Sequence, residues 1–163
     1  SFFALQAAAA LGARIKGAAV TFVNHEAGLH SIMDTAAPSF KMRFMYMAGY
    51  DDEAKFDKFK KKFSTAPLIP KIKCPVLIQG GGDDELSPIE FSEELAAKLQ
   101  VPKKFVIYEG ERHAIGGNTA SYFGENWFTM LADWCLDRVE GKAPPNERVY
   151  INSLGQAETT PYR

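Results

Sequence analysis

The sequence predicts an α/β protein: a parallel sheet flanked by helices, with a small helical insertion between two of its strands. Three observations predict it. Short apolar runs bounded by turn residues recur at 18–23, 75–79 and 105–108, the pattern of strands buried on both faces. Helical patterns precede, separate and follow these runs, the order of a parallel sheet joined by crossover helices. A stretch rich in Met, Phe and Lys at 24–70 parts the first run from the second. The expected organisation is therefore a core at 1–23 and 71–143, a helical cap at 24–70, and a polar tail at 144–163. At 163 residues the chain suits one domain.

Phe2 to Ala13 is Ala-rich and apolar almost all round, as expected of a helix buried against a sheet. Ala18 to Val23 is the first strand, and Gly28 and Pro38 break the segment after it. Phe40 to Tyr50 is dense in Met and aromatic residues, either a lid lining an apolar substrate pocket or simply lid-helix core. Asp51-Asp52-Glu53 opens a helix that carries Phe56, Phe59 and Phe63 on one face, with acids at its start and lysines at its end. Pro75 to Gln79 is a strand ended by Gly80-Gly81-Gly82. Pro88 to Leu99 is an amphipathic helix, Phe105 to Tyr108 a strand, and Tyr122 to Val139 a long helix striped by Trp127, Leu131 and Trp134.

Composition excludes several classes. Nineteen Lys and Arg against twenty Asp and Glu leave a net charge of −1, with no global field to hold nucleic acid or an anionic membrane. No apolar run reaches the ~18 residues of a membrane span. Cys74 and Cys135 lack metal-ligand spacing and read as reduced core residues, so the expected location is cytoplasmic. The chain starts at Ser1 and enters an apolar helix at once, so the sequence reads as cut from something longer.

The informative pair is Asp84 and His113. Each lies in a loop just past the carboxyl end of a strand, where α/β sheets place ligands and catalysts. An acid accepting from one imidazole nitrogen fixes the tautomer and leaves the other nitrogen as a general base. Taken alone, a solvated loop acid and a loop histidine would look the same.

These segments resemble those of a known family. Cys74 to Gly80 followed by Gly81-x-x-Asp84-x-x-Ser87-Pro88 is similar to the acid-bearing strand and turn of the α/β-hydrolases. Tyr108-Glu109-Gly110-Glu111-Arg112-His113 is similar to their histidine turn, and the order of elements matches over residues 1–143. The Phe3-Ala4-Leu5-Gln6 helix, and Ala132-Asp133-Trp134 with Gly141-Lys142, look closest to an esterase-like branch. That branch also includes hydrolases acting on carbon–carbon bonds of pseudooxynicotine-type substrates.

The resemblance implies a partial α/β-hydrolase sheet and a Ser-Asp-His triad, with Asp84 and His113 as the acid and base. Asp84 rather than Asp83 keeps the family spacing to Gly81 and Pro88, and Glu85 is left as a solvated helix-capping acid. In the family a Gly-x-Ser-x-Gly elbow precedes the helix that here starts at Phe2, which places the serine about three residues upstream of Ser1. Ser1 then occupies a small-residue position, and the oxyanion hole and first strands also lie upstream. The implied activity is serine hydrolysis of a small-molecule ester, amide or activated carbonyl. The alternatives are a carbon–carbon bond hydrolase of the same fold or a noncatalytic binding domain. The resemblance implies no metal and no organic cofactor, makes the missing amino-terminal half of the fold a partner, and leaves oligomeric state open.

Other motifs have plainer readings. His25-Glu26-Ala27-Gly28-Leu29-His30 is similar to a zinc helix motif but has one residue too many, so its histidines would lie ~140° apart around a helix. His25 is instead expected to line the cleft. Gly80-Gly81-Gly82 lacks the Lys-Ser or Lys-Thr of a phosphate loop and reads as a tight turn. Lys58, Lys60, Lys61 and Lys62 read as the water-facing side of an amphipathic helix rather than a nucleic-acid patch.

Overall fold

The computed structural model describes residues 1–23, 26–116 and 126–162. Four strands run parallel in the order of the chain: β1 (Ala18–Thr21), β2 (Val76–Gly81), β3 (Lys103–Tyr108) and β4 (Glu147–Ile151). A fifth, β5 (Ala157–Pro161), folds back antiparallel on β4. The predicted fold class, a mostly parallel sheet flanked by helices, is the observed one.

The strands alternate their side chains between two helical layers. On one face Ile78 and Phe105 pack with Leu5 and Ala8 of α1 (Phe2–Leu11) and with Leu95 of α4 (Ile89–Lys98). On the other, Leu77, Val106 and Tyr108 pack with Met130 and Trp134 of α5 (Trp127–Val139). β2 is buried at every position, as a central parallel strand covered on both faces must be. Asn126 caps α5 by accepting from the amides of Phe128 and Thr129. The predicted start of that helix at Tyr122 lies outside the described residues. Between β1 and β2 lie a π-helical turn (Ser31–Thr35), α2 (Pro38–Met47) and α3 (Glu53–Lys60). Asp52 caps α3 by accepting from the Lys55 amide at 2.9 Å.

Four expectations need correction. Residues 144–163 are not a polar tail but the β4–β5 hairpin, turned at Asn152–Gln156, where Asn152 Oδ1 accepts from the amides of Leu154 and Gln156. Lys60 does not face water: it is buried and its ammonium bonds both carboxylate oxygens of Asp34. The first helix is apolar all round yet buries only Leu5 and Ala8 fully, and Phe3 stands exposed. Glu85 caps no helix; it is exposed and pairs with the Arg112 guanidinium at 3.0 Å. For Lys60 and Glu85 the outcome depends on partners distant in sequence, Asp34 and Arg112, which local pattern does not report.

No helix among the described residues is long and apolar enough to cross a membrane. Both cysteines are free, Cys74 buried and Cys135 half-buried.

Candidate active site

β2 and β3 each end in a loop, and the two loops are laced together. The Gly82 amide donates to the Tyr108 carbonyl at 2.8 Å and the Asp83 amide to the Glu111 carbonyl at 2.9 Å. Gly81 makes this approach possible, because a Cβ there would stand 2.2 Å from the Glu111 carbonyl oxygen and 2.5 Å from that of Arg112. The Arg112–Glu85 pair closes the rim.

The lacing brings Asp84 and His113 together. His113 Nδ1 stands 3.0 Å from each carboxylate oxygen of Asp84. The Asp84 side chain is 1% exposed and the His113 side chain 37%, so the acid is buried beneath a ring that reaches the surface of a cavity. Asp84 Oδ1 also accepts from the amides of Leu86 at 2.9 Å and Ser87 at 2.8 Å. These bonds stabilise the carboxylate and fix its orientation. With its Nδ1–H donated to Asp84, the imidazole keeps Nε2 as its acceptor nitrogen. Asp83, its competitor in the sequence, is exposed and takes part through its backbone amide.

A third loop, leaving β1, completes the floor. Phe22 has a positive φ of 54°, unusual for a bulky residue and a mark of local constraint. Its carbonyl oxygen accepts from the hydroxyls of Ser1 at 3.1 Å and Ser87 at 3.3 Å. Its ring packs on the His113 ring with centroids 4.8 Å apart, and against Trp127 at 6.4 Å. The sequence reading placed Gly81 and Ser87 in the acid-bearing turn without giving either a role in the site, and placed Phe22 only in a strand.

Above His113 opens a cavity of about 610 Å³, the size of a small-molecule site. Its walls join the strand ends to the segment between β1 and β2: Ser1, Phe22, Ser87 and His113 on one side, Met33, Phe44 and Phe63 on the other. Of the Met-rich α2, Phe44 and Met47 line the cavity, whereas Met42 and Tyr46 face outward. His25, expected to line the cleft, lies outside the described residues. His30 Nδ1 donates to the Asp34 carboxylate at 2.8 Å, apart from this cavity.

The fold is that of the α/β-hydrolases. The chain is similar to the crystal structure of 2,6-dihydroxy-pseudo-oxynicotine hydrolase, with a TM-score of 0.70 and 22% identity over 88% of this chain and 39% of that one. It is also similar to the monoacylglycerol lipase of Paleococcus ferrophilus, with a TM-score of 0.51 and 15% identity over 84% of this chain and 65% of that one. The chain thus spans about two fifths of the first structure's length and under two thirds of the second's. No protein-family model matches the sequence, and no curated protein matches it significantly. The α/β-hydrolase fold that the acid and histidine turns resemble is therefore the observed fold.

Proposed function

We propose that this chain is the carboxy-terminal part of a serine hydrolase that cleaves an ester, amide or activated carbonyl compound. The observation that carries the reading is the buried Asp84 carboxylate holding His113 at 3.0 Å beneath a ligand-sized cavity. A buried acid, an oriented imidazole and an open Nε2 facing a pocket are the parts that general base catalysis needs.

The nucleophile in this reading is a serine outside the 163 residues. Supporting this, the two described serines that line the cavity, Ser1 and Ser87, both donate their hydroxyls to the Phe22 carbonyl. His113 Nε2 takes the proton of the incoming serine as its oxygen attacks the substrate carbonyl carbon. It then gives that proton to the leaving alcohol or amine as the acyl-enzyme forms. Water repeats the exchange: its proton passes to Nε2, its oxygen attacks the acyl carbon, and the serine leaves reprotonated. Asp84 keeps the tautomer and balances the imidazolium charge throughout. By the same reading the 163 residues alone turn over no substrate.

The test uses the polypeptide expressed from the complete reading frame that encodes this chain. A fluorophosphonate probe should label one serine outside residues 1–163, and His113→Gln should abolish labelling. Absence of labelling in a folded protein that still binds ligand would favour a noncatalytic binding domain instead. Cleavage at a carbon–carbon bond beside a carbonyl, the second reading, is favoured by the likeness to a pseudo-oxynicotine hydrolase. Product analysis separates it from ester cleavage.

A further inference from the structure

The walls of the cavity carry an inference about what enters it, one that rests on the hydrolytic reading for its carbonyl chemistry. Among the described residues no charged side chain lines the cavity, and seven of the lining residues are Phe. The rings form a continuous array across two elements. Tyr50 stacks on Phe59 at 5.0 Å, Phe59 meets Phe63 edge to face at 5.4 Å, and Phe63 meets Phe2 of α1 at 5.6 Å. Nearby charges are committed elsewhere: Asp34, Lys41, Glu53, Asp57 and Lys60 pair with one another in a cluster that bonds the π-helical turn to α2 and α3.

We propose that the cavity selects uncharged aryl groups, so that the substrate is a neutral aromatic carbonyl compound. Its ring lies against Phe59, Phe63 and Phe2, and its carbonyl faces His113. Three physical effects point this way. An ammonium entering this space loses its water without gaining a counter-ion, and a carboxylate meets only His113, whose charge Asp84 already balances, so either pays a large cost. The Phe59 ring, at the centre of the array, already meets a cation, with the Lys62 ammonium 5.6 Å from its centre. An added aromatic ring, by contrast, extends an edge-to-face array whose geometry is favourable in itself.

The polar end of the cavity is small. The Ser1 and Ser87 hydroxyls are engaged with Phe22, which leaves His113 and Thr21 to meet the substrate's polar atoms. A single carbonyl group suits that end, and a second polar substituent toward the Phe array would go unpaired.

The test measures binding calorimetrically on the complete protein with four probes of one shape, none of which requires turnover: 2-naphthol, 2-naphthoate, (2-naphthyl)trimethylammonium and decahydro-2-naphthol. The expected order puts 2-naphthol about 100-fold or more ahead of both ions, because each ion loses hydration unpaired. It should lead decahydro-2-naphthol by about threefold to tenfold, the increment of aromatic contact. Phe63→Ala should weaken 2-naphthol about tenfold, a loss typical of a truncated aromatic anchor. Met47→Glu, at the rim where the side chain is 69% exposed and cannot disturb the core, should improve the ammonium probe about threefold, the scale of an exposed charge pair.

Charged probes binding as tightly as 2-naphthol would overturn the proposal, as would equal affinity for the saturated analogue. The hydrolytic reading fails separately. If 2-naphthol is preferred but no serine reacts with the fluorophosphonate, the pocket is an aryl-binding site without this chemistry. If the serine reacts but the ions bind equally, the chemistry stands and the selectivity does not.

Discussion

Gly81 lies so close to Glu111 that a Cβ on the glycine would stand 2.2 Å from the glutamate's carbonyl oxygen. That oxygen belongs to backbone and cannot swing away, so Gly81→Ala must push the histidine loop off the acid loop. The expected cost is about 1–3 kcal/mol, as for other overpacked sites. Turnover should fall further than stability, because His113 rides on the displaced loop. Denaturant unfolding and steady-state kinetics on the same variant check both parts.

Asp84→Asn should fold normally and turn over about 10⁴-fold more slowly. The substituted side chain can still accept from the Leu86 and Ser87 amides through its oxygen, so the turn survives. Its amide nitrogen would then face His113 Nδ1, and the ring would keep the wrong tautomer. Unchanged denaturation with collapsed kcat is the expected result, and loss of folding would show that the acid is structural.

Ser87→Ala removes a hydroxyl that ties the acid loop to the Phe22 carbonyl. The bond contributes about 1 kcal/mol to stability. Phe22→Leu keeps apolar bulk but removes the ring packed on His113. If that contact orients the imidazole, kcat should drop while KM holds; equal effects on both would mean Phe22 merely shapes the pocket.

The ion cluster between the π-helical turn and α3 sets an acid limit on stability. Burial alone would raise the Asp34 carboxyl, but hydrogen bonds from Lys60 and His30, then the charges of Lys60 and Lys41, hold it down to about 2 from 3.8. A depressed carboxyl stabilises the fold above its unfolded value and loses that contribution as pH falls toward its folded value. Stability should therefore decline between about pH 4 and pH 2 through this group. In Lys60→Met that slope should flatten, with a loss at neutral pH of about 2 kcal/mol, the scale of a hydrogen bond to a charged group. Thermal melts across pH 2–7 on both proteins measure it.

The parallel core was legible because its strands carry their own signature. Val76-Leu77-Ile78 and Phe105-Val106-Ile107 are apolar throughout, and the helices between them have regular stripes. The β4–β5 hairpin was not, since β5 exposes every residue and exists only by pairing with β4. Asp84 and His113 could be read as a pair from their places after consecutive strands. The tie between Ser87 of the acid turn and Phe22 could not, because it arises from a positive φ and a carbonyl shared between hydroxyls. Lys60 looked like its lysine neighbours, and only Asp34, distant in sequence, turns it inward.

The antiparallel β5 gives the sheet two unlike margins. One margin ends in a polar strand with Pro161 in the ladder, a residue that offers no N–H to a newcomer. The other is β1, half buried and paired only with β2 among the described residues. Growth of the sheet therefore has a preferred side: in the proposed longer protein β1 offers its ladder to further strands, whereas a strand approaching β5 meets a fully exposed polar edge that lacks one donor.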